Sequence, residues 1–246
     1  MSPAIVGAHT VNTNYKTMRT KALLSVAAIA ASAISAMAQA NVYSLNIVGY
    51  ATVSVPAGYS LLANPLSAGV TNGANEIMPI LDGEQILTWN GASFTEVMYD
   101  SGAGGWVKAD DVTPTGPPSL PPGKGFFFFN PNATATNITF VGQVVPGPSS
   151  TNTLSLAPGY SLIGSPLPAT VAQITNPPVS LPVLDGMQIL QWGSGKYSEV
   201  MFDSGAGGWV KADDVTPTTA PPYAIGSGFF FFNPNATASA WNQSLP

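Results

Sequence analysis

Hydrophobic and polar residues alternate along residues 41–55, NVYSLNIVGYATVSV. Tyr43, Leu45, Ile47, Ala51 and Val53 fall on one side, and Ser44, Asn46, Thr52 and Ser54 on the other. A period of two, carried by β-branched and aromatic residues, predicts a half-buried strand bent at Gly49. Pro56-Ala57-Gly58 turns the chain into a second predicted strand, Tyr59–Ala63, which Asn64-Pro65 stops. Residues 66–84 read as a loop, because Pro79 interrupts the one short helical pattern there. A three-strand meander follows: Gln85–Trp89, Ser93–Tyr99 and a strand from Trp106. Asn90-Gly91 suits a type I′ hairpin turn, and Pro122-Gly123 suits the centre of a type II turn. Residues 112–124 form a proline-rich connector. Phe126–Phe129 then puts aromatic rings on both faces of one strand, which predicts a central strand covered on both sides, or one whose outer face lines an apolar groove. Residues 137–145 complete the unit.

The same order then repeats. Residues 96–115, EVMYDSGAGGWVKADDVTPT, return at 199–218 with only Phe202 in place of Tyr99. Gln85–Trp89 returns as Gln188–Trp192, and Gly125–Pro131 as Gly228–Pro234. Internal repetition of this kind governs the architecture. The expected fold is all-β: two tandem homologous domains, sandwich- or barrel-like, at residues 41–146 and 153–246, joined by a linker at 147–152. One closed structure built from two pseudo-symmetric halves is the alternative.

The N-terminus changes the picture. Residues 18–40, MRTKALLSVAAIAASAISAMAQA, carry Arg19 and Lys21, an Ala-rich apolar run and the small-x-small site Ala38-Gln39-Ala40. This is the pattern of a cleaved signal peptide, too short and weakly apolar for a membrane span. Residues 1–17 precede it and read as an over-extended start, with Met18 as the alternative first residue. The predicted mature chain begins near Asn41 and is soluble, and is expected to be secreted, periplasmic or at the cell surface of a bacterium. The 246-residue sequence holds 7 basic and 12 acidic residues, and the portion after residue 40 has four lysines, no arginine and a formal charge of −8. No basic footprint for nucleic acid or an anionic membrane remains. Cysteine is absent, so the protein uses no disulfide and no thiolate chemistry.

Gly58-Tyr59-Ser60-Leu61-Leu62-Ala63-Asn64-Pro65, Trp89-Asn90-Gly91 and Pro122-Gly123-Lys124-Gly125-Phe126-Phe127-Phe128 follow one order, and Asn41–Tyr50 reads NVYSLNIVGY. The mature chain resembles the repeat units of a group of exported bacterial proteins typical of verrucomicrobia. The group carries no assigned activity, so the resemblance implies export and duplication and no chemistry. The second unit departs from it at Ser165 and at Ile225-Gly226-Ser227-Gly228.

The only histidine is His9, ahead of the leader. Without His or Cys in the mature chain, a Ser-His-Asp triad, a Cys-His pair and the usual zinc and copper sites are excluded. The Gly102–Gly105 run lacks the following helix and Lys-Ser/Thr of a phosphate loop. Glu96 and Asp100 share a strand face at ~13 Å, too far for a glycosidase pair. The four N-x-S/T sequons, at Asn132, Asn137, Asn235 and Asn242, carry no glycan in a bacterium and read as turn and strand residues. The expected product is therefore non-catalytic, with a structural or adhesive role. A carbohydrate-binding module is the second expectation, since Trp106 with Asp100 and Trp209 with Asp203 pair an apolar plate with a hydrogen-bonding group. Partners would then be a glycan or a cell-surface component. No cofactor is expected beyond calcium, whose candidate ligands are Asp100, Asp110 and Asp111, with Asp203 and positions 212 and 213 in the second copy. Turn capping by these aspartates is the competing role. N-terminal sequencing of the exported protein should return Asn41 as the first residue; a chain that retains residues 18–40 would refute the leader.

Overall fold

The computed structural model describes residues 48–145 and 151–245. The predicted leader, residues 1–17, the start of the 41–55 strand and most of the 147–152 linker lie outside the described residues. The chain is all-β, as its alternation requires. The first copy supplies β1 (Val48–Val55), β2 (Gly58–Ala63), α1 (Ala74–Ile77), β3 (Gln85–Trp89), β4 (Phe94–Asp100), β5 (Gly105–Lys108), β6 (Gly125–Asn130) and β7 (Thr136–Gln143). The second supplies β8 (Thr151–Leu156), β9 (Gly159–Ile163), β10 (Gln188–Gly193), β11 (Lys196–Asp203), β12 (Gly208–Lys211), β13 (Phe229–Asn233) and β14 (Ser239–Ser244). In each copy a five-stranded antiparallel sheet, ordered β2-β6-β3-β4-β5 or β9-β13-β10-β11-β12, faces a two-stranded one, β1-β7 or β8-β14. The result is two sandwich-like units.

Local departures from the expected elements have simple causes. A single helical turn, α1, forms in the 66–84 loop and ends at Met78, before Pro79. The first hairpin is not type I′. Asn90 N–H donates to Ser93 O, and of the two central residues only Gly91 has positive φ, at 101°, the type II′ pattern. Asn90 Oδ1 instead accepts the Ala92 and Ser93 N–H groups. It is the second copy, with Ser194 at φ 53° and Gly195 at φ 77°, that turns with two positive centres. Pro122-Gly123 makes the expected type II turn, closed by Lys124 N–H to Pro121 O with Gly123 at φ 83°. Ile225-Gly226 makes the matching turn without proline.

Each copy has its own apolar core. Phe126, Phe128, Ile138 and Phe140 centre the first, and Phe229, Phe231, Tyr223 and Trp241 the second. Pleat alternation sends Phe127 and Phe230 to the opposite sheet faces, where they meet Leu61 and Leu162 in a third cluster shared by both copies. The described residues of the two copies accordingly form one compact unit. Backbone joins the copies as well. Ala63 N–H donates to Gly226 O and Gly228 N–H to Leu61 O; on the other side of the pseudo-twofold, Gly164 N–H donates to Gly123 O. A Cβ on Gly228 would lie 2.4 Å from Leu62 O, and one on Gly125 2.8 Å from Ile163 N. These glycines are the second glycine of each turn motif. Glycine is required there because backbone meets backbone.

One buried carboxyl lies among the described residues. Glu84 is fully buried in the first copy, and its Oε2 accepts the Leu81 N–H at 2.8 Å. Its Oε1 has no hydrogen-bond partner among the described residues. Burial pushes the carboxyl up from 4.5 to about 7. Met187 stands at the same place in the second copy, its Sδ against the Leu184 N–H at 3.1 Å. No charge is buried there.

Two outcomes follow from the seam and the buried acid. Gly125→Ala and Gly228→Ala should each destabilise the protein by about 2–3 kcal/mol through overpacking, whereas Gly193→Ala, with open space around it, should be neutral; equal denaturation midpoints would disprove the seam constraint. Glu84→Met should stabilise. The native carboxyl has the higher pKa, so the cost of Glu84 is absent below about pH 4.5, grows as pH rises and is complete above about pH 7. A shift of that size corresponds to about 3 kcal/mol. Urea unfolding of both proteins across this range should show the gain widening with pH, and a pH-independent gain would contradict the buried acid.

Candidate functional site

The predicted tryptophan–aspartate pairs sit on β4–β5 and β11–β12. Between β4 and β5, Tyr99 is opposite Trp106 and Asp100 is opposite Gly105. Neighbouring residues of a strand point to opposite faces. Trp106 therefore turns into the core, where it is 5% exposed, packs edge-on against Tyr99 and donates its Nε1–H to Asn75 Oδ1 at 2.7 Å. Asp100 projects from the other face. The second copy repeats this register, with Phe202 opposite Trp209 and Asp203 opposite Gly208. Trp209 is half-buried against Phe202, with ring centroids 5.6 Å apart. The strand alternation thus separates each pair, and a buried indole offers no plate to a sugar.

The aspartates cap turns. Asp100 Oδ1 accepts the Gly102 N–H at 2.8 Å, and Asp203 Oδ1 the Gly205 N–H at 2.7 Å. Asp110 accepts the N–H groups of Val112 and Thr113 and the Thr113 hydroxyl. The hydroxyl bond and then the two backbone bonds hold its carboxyl below the usual range. Asp213 does the same with Thr216 and Val215. Position 212 is Ala212, so the second-copy equivalents of Asp110 and Asp111 are Asp213 and Asp214. Asp111 and Asp214 both adopt φ 61° in these loops. Among the described residues no three carboxylates gather as a metal site.

The outer face of the Phe126–Phe129 strand does line an apolar groove, one of the two expectations for it, through Phe127; the partners it meets there were not foreseen. The outer faces of the two five-stranded sheets meet along the copy–copy seam. Trp89 donates its Nε1–H to Tyr160 O, and Trp192 donates its own to Tyr59 O, both at 3.0 Å. The crossed bonds fix both indoles edge-on to the opposite copy: Phe127 lies 5.4 Å from Trp192 and Phe230 lies 5.7 Å from Trp89. Tyr59, Phe94, Tyr160 and Tyr197 complete the band and are 39–42% exposed. A cleft of about 190 Å³ opens within it, lined by Tyr59, Leu87, Phe94, Phe127, Trp192 and Tyr197. Tyr59 donates its hydroxyl to Gln85 Oε1 and Tyr160 to Gln188 Oε1, which holds both rings in place. Burial, and then the carboxylates of Glu96 and Glu199, push these two hydroxyls above their ordinary pKa. The band is an immobilised aromatic surface with amide and carboxylate acceptors at its rim and no titrating nucleophile. The alternation of Tyr59, Leu61 and Phe127 was visible in the sequence; the matching face of the second copy, which makes the band continuous, was not.

Two further clefts flank the seam beside the proline-rich connectors. One is lined by Gln191, Ser198 and Pro222, and its counterpart by Thr88, Thr95 and Ser119. Their linings differ at each matched position, so they are not a duplicated site. No helix among the described residues is long and apolar enough to cross a membrane. No family model matches the chain, and no curated protein or solved structure matches it.

Proposed function

We propose that this chain is an exported, non-catalytic protein with a structural or adhesive role at the cell surface or outside the cell. The observation that carries this is the fixed aromatic band across the seam. Its rings are held by hydrogen bonds and edge contacts rather than left free to collapse, so the exposed apolar area persists in water, and persistent areas of this kind mark contact surfaces. The signal-peptide pattern supports export. The acidic composition supports a contact made by apolar and hydrogen-bonding chemistry rather than by anionic polymers.

Binding of a carbohydrate is the second reading, now centred on the band and not on Trp106 or Trp209. Tyrosine faces beside Gln85, Gln188, Glu96 and Glu199 combine an apolar plate with acceptors for sugar hydroxyls. The test is retention of the exported protein on bacterial envelopes and on a panel of insoluble polysaccharides, beside a Phe94→Ala/Tyr197→Ala variant. Retention should fall about tenfold in the variant at unchanged stability. Loss on envelopes alone supports adhesion to a non-glycan component; parallel loss on one polysaccharide supports carbohydrate binding. Wild-type retention equal to the variant's on every surface would overturn the role of the band.

A further inference from the structure

The two kinds of sheet edge are treated differently. The outer edges of the five-stranded sheets are closed. Lys108 N–H donates to Thr113 O and Thr115 N–H to Trp106 O, so the Val-Thr-Pro-Thr segment lies along β5. Lys211, Thr216, Thr218 and Trp209 repeat the arrangement along β12. Pro114 and Pro217 sit between the paired threonines, facing Val107 and Val210. At that position the backbone points away from the sheet, and proline has no N–H to offer there. A further strand cannot add.

The two-stranded sheets lack this protection. Among the described residues β7 is the only strand beside β1, and β14 the only strand beside β8. The outer edge of β7 is partly covered, by paired hydrogen bonds between Ser67 and Gln143. Among the described residues no hydrogen bond from outside the ladders reaches the backbone of residues 48–54 of β1 or 151–155 of β8; the Asn130 and Asn233 side chains cap only the strand ends, at Val55 O and Leu156 O. Neither VGYATVSV nor TNTLSL contains a proline or a charge, and the partner strands β7 and β14 are uncharged too. Every acidic residue of the chain lies outside these four strands.

We propose that β1 and β8 are self-association edges, which pair antiparallel with β1 or β8 of a second copy of this chain. This rests on the structural reading above and names its partner. A second copy is the occupant because an edge paired antiparallel with its own kind is self-complementary, and nothing charged on β1 or β8 opposes that pairing. Two acidic molecules repel over most of their surfaces, and the uncharged two-stranded sheets are where they approach without that cost. Backbone donors and acceptors supply the affinity, as in strand addition generally. The outward faces bring Tyr50, 72% exposed, and the hydroxyls of Thr52 and Thr153, which already bond across to Thr139 and Asn242. Because the duplication gives each molecule two such edges, pairing extends into chains wherever the two edges do not close on one partner.

The experiment uses the exported protein purified with its native N-terminus. Sedimentation at rising concentration should show dimers and larger species. Thr52→Lys/Ser54→Lys/Thr153→Lys/Ser155→Lys should weaken association at least about tenfold, because like charges then face each other across each new ladder. The same four charges at Val70→Lys/Val112→Lys/Val183→Lys/Val215→Lys, on exposed loops, should leave it intact or strengthen it by lowering the net charge. A wild-type protein that stays monomeric at millimolar concentration overturns the proposal, as does equal association of both variants. Monomeric protein that still binds envelopes would sink edge pairing and leave the adhesive role standing, so the two fail separately.

Discussion

The copy–copy seam is closed by backbone, and the rest of the structure depends on that contact. Side-chain interfaces tolerate repacking, but Gly228 against Leu62 O and Gly125 against Ile163 N leave no room for a Cβ. With the backbones this close, the edge strands β2 and β9 are satisfied by the opposite copy, through the bonds from Ala63 and Gly164. The same approach brings Phe127 and Phe230 together with Leu61 and Leu162. The crossed bonds of Trp89 and Trp192 then follow, and the aromatic band with them. A motif that reads as two tight turns is therefore the joint of the whole molecule.

The two copies have diverged at several structurally equivalent positions. Glu84 and Met187 occupy one buried position with opposite consequences: one leaves a carboxyl oxygen unpaired in the core, the other presents a polarizable sulfur. Asn64 and Ser165 both cap the turn after the second strand of their copy, Asn64 Oδ1 taking the Leu66 N–H and Ser165 Oγ the Leu167 N–H. Different side chains solve the same backbone problem. The Gly-rich loops with their capping aspartates are nearly identical in both copies, although they lie away from the seam. The structure gives no packing reason for that identity.

Charge, apolar surface and open backbone are segregated on this molecule. The acids lie in the helix and loops and on the five-stranded sheets, the exposed rings on the seam except for Tyr50 on β1, and the unpaired strand edges on uncharged two-stranded sheets. The Thr-Pro-Thr segments close the remaining edges. A protein meant to stay monomeric closes all of its edges. Here the closure is selective, and the open backbone among the described residues lies on the two-stranded sheets.

Local pattern alone specified the all-β class, the duplication, a unit of six or seven strands and most of the turns. Those properties are local: alternation, proline and glycine act over a few residues, and Pro122-Gly123 turns the chain whatever surrounds it. Where a turn depended on which residues paired, the local signal misled, as at Asn90-Gly91, because register rather than composition placed Gly91 at the first centre. The fate of the aromatic residues was set by packing between strands distant in sequence. Alternation put Trp106 and Asp100 on opposite faces as soon as Tyr99 became the partner of Trp106, and that pairing is a property of the sheet. It also decided that Phe127, Trp192 and Tyr59 form one surface, since they come from two copies about a hundred residues apart in sequence, and contact over such separations is fixed by packing, not by local preference.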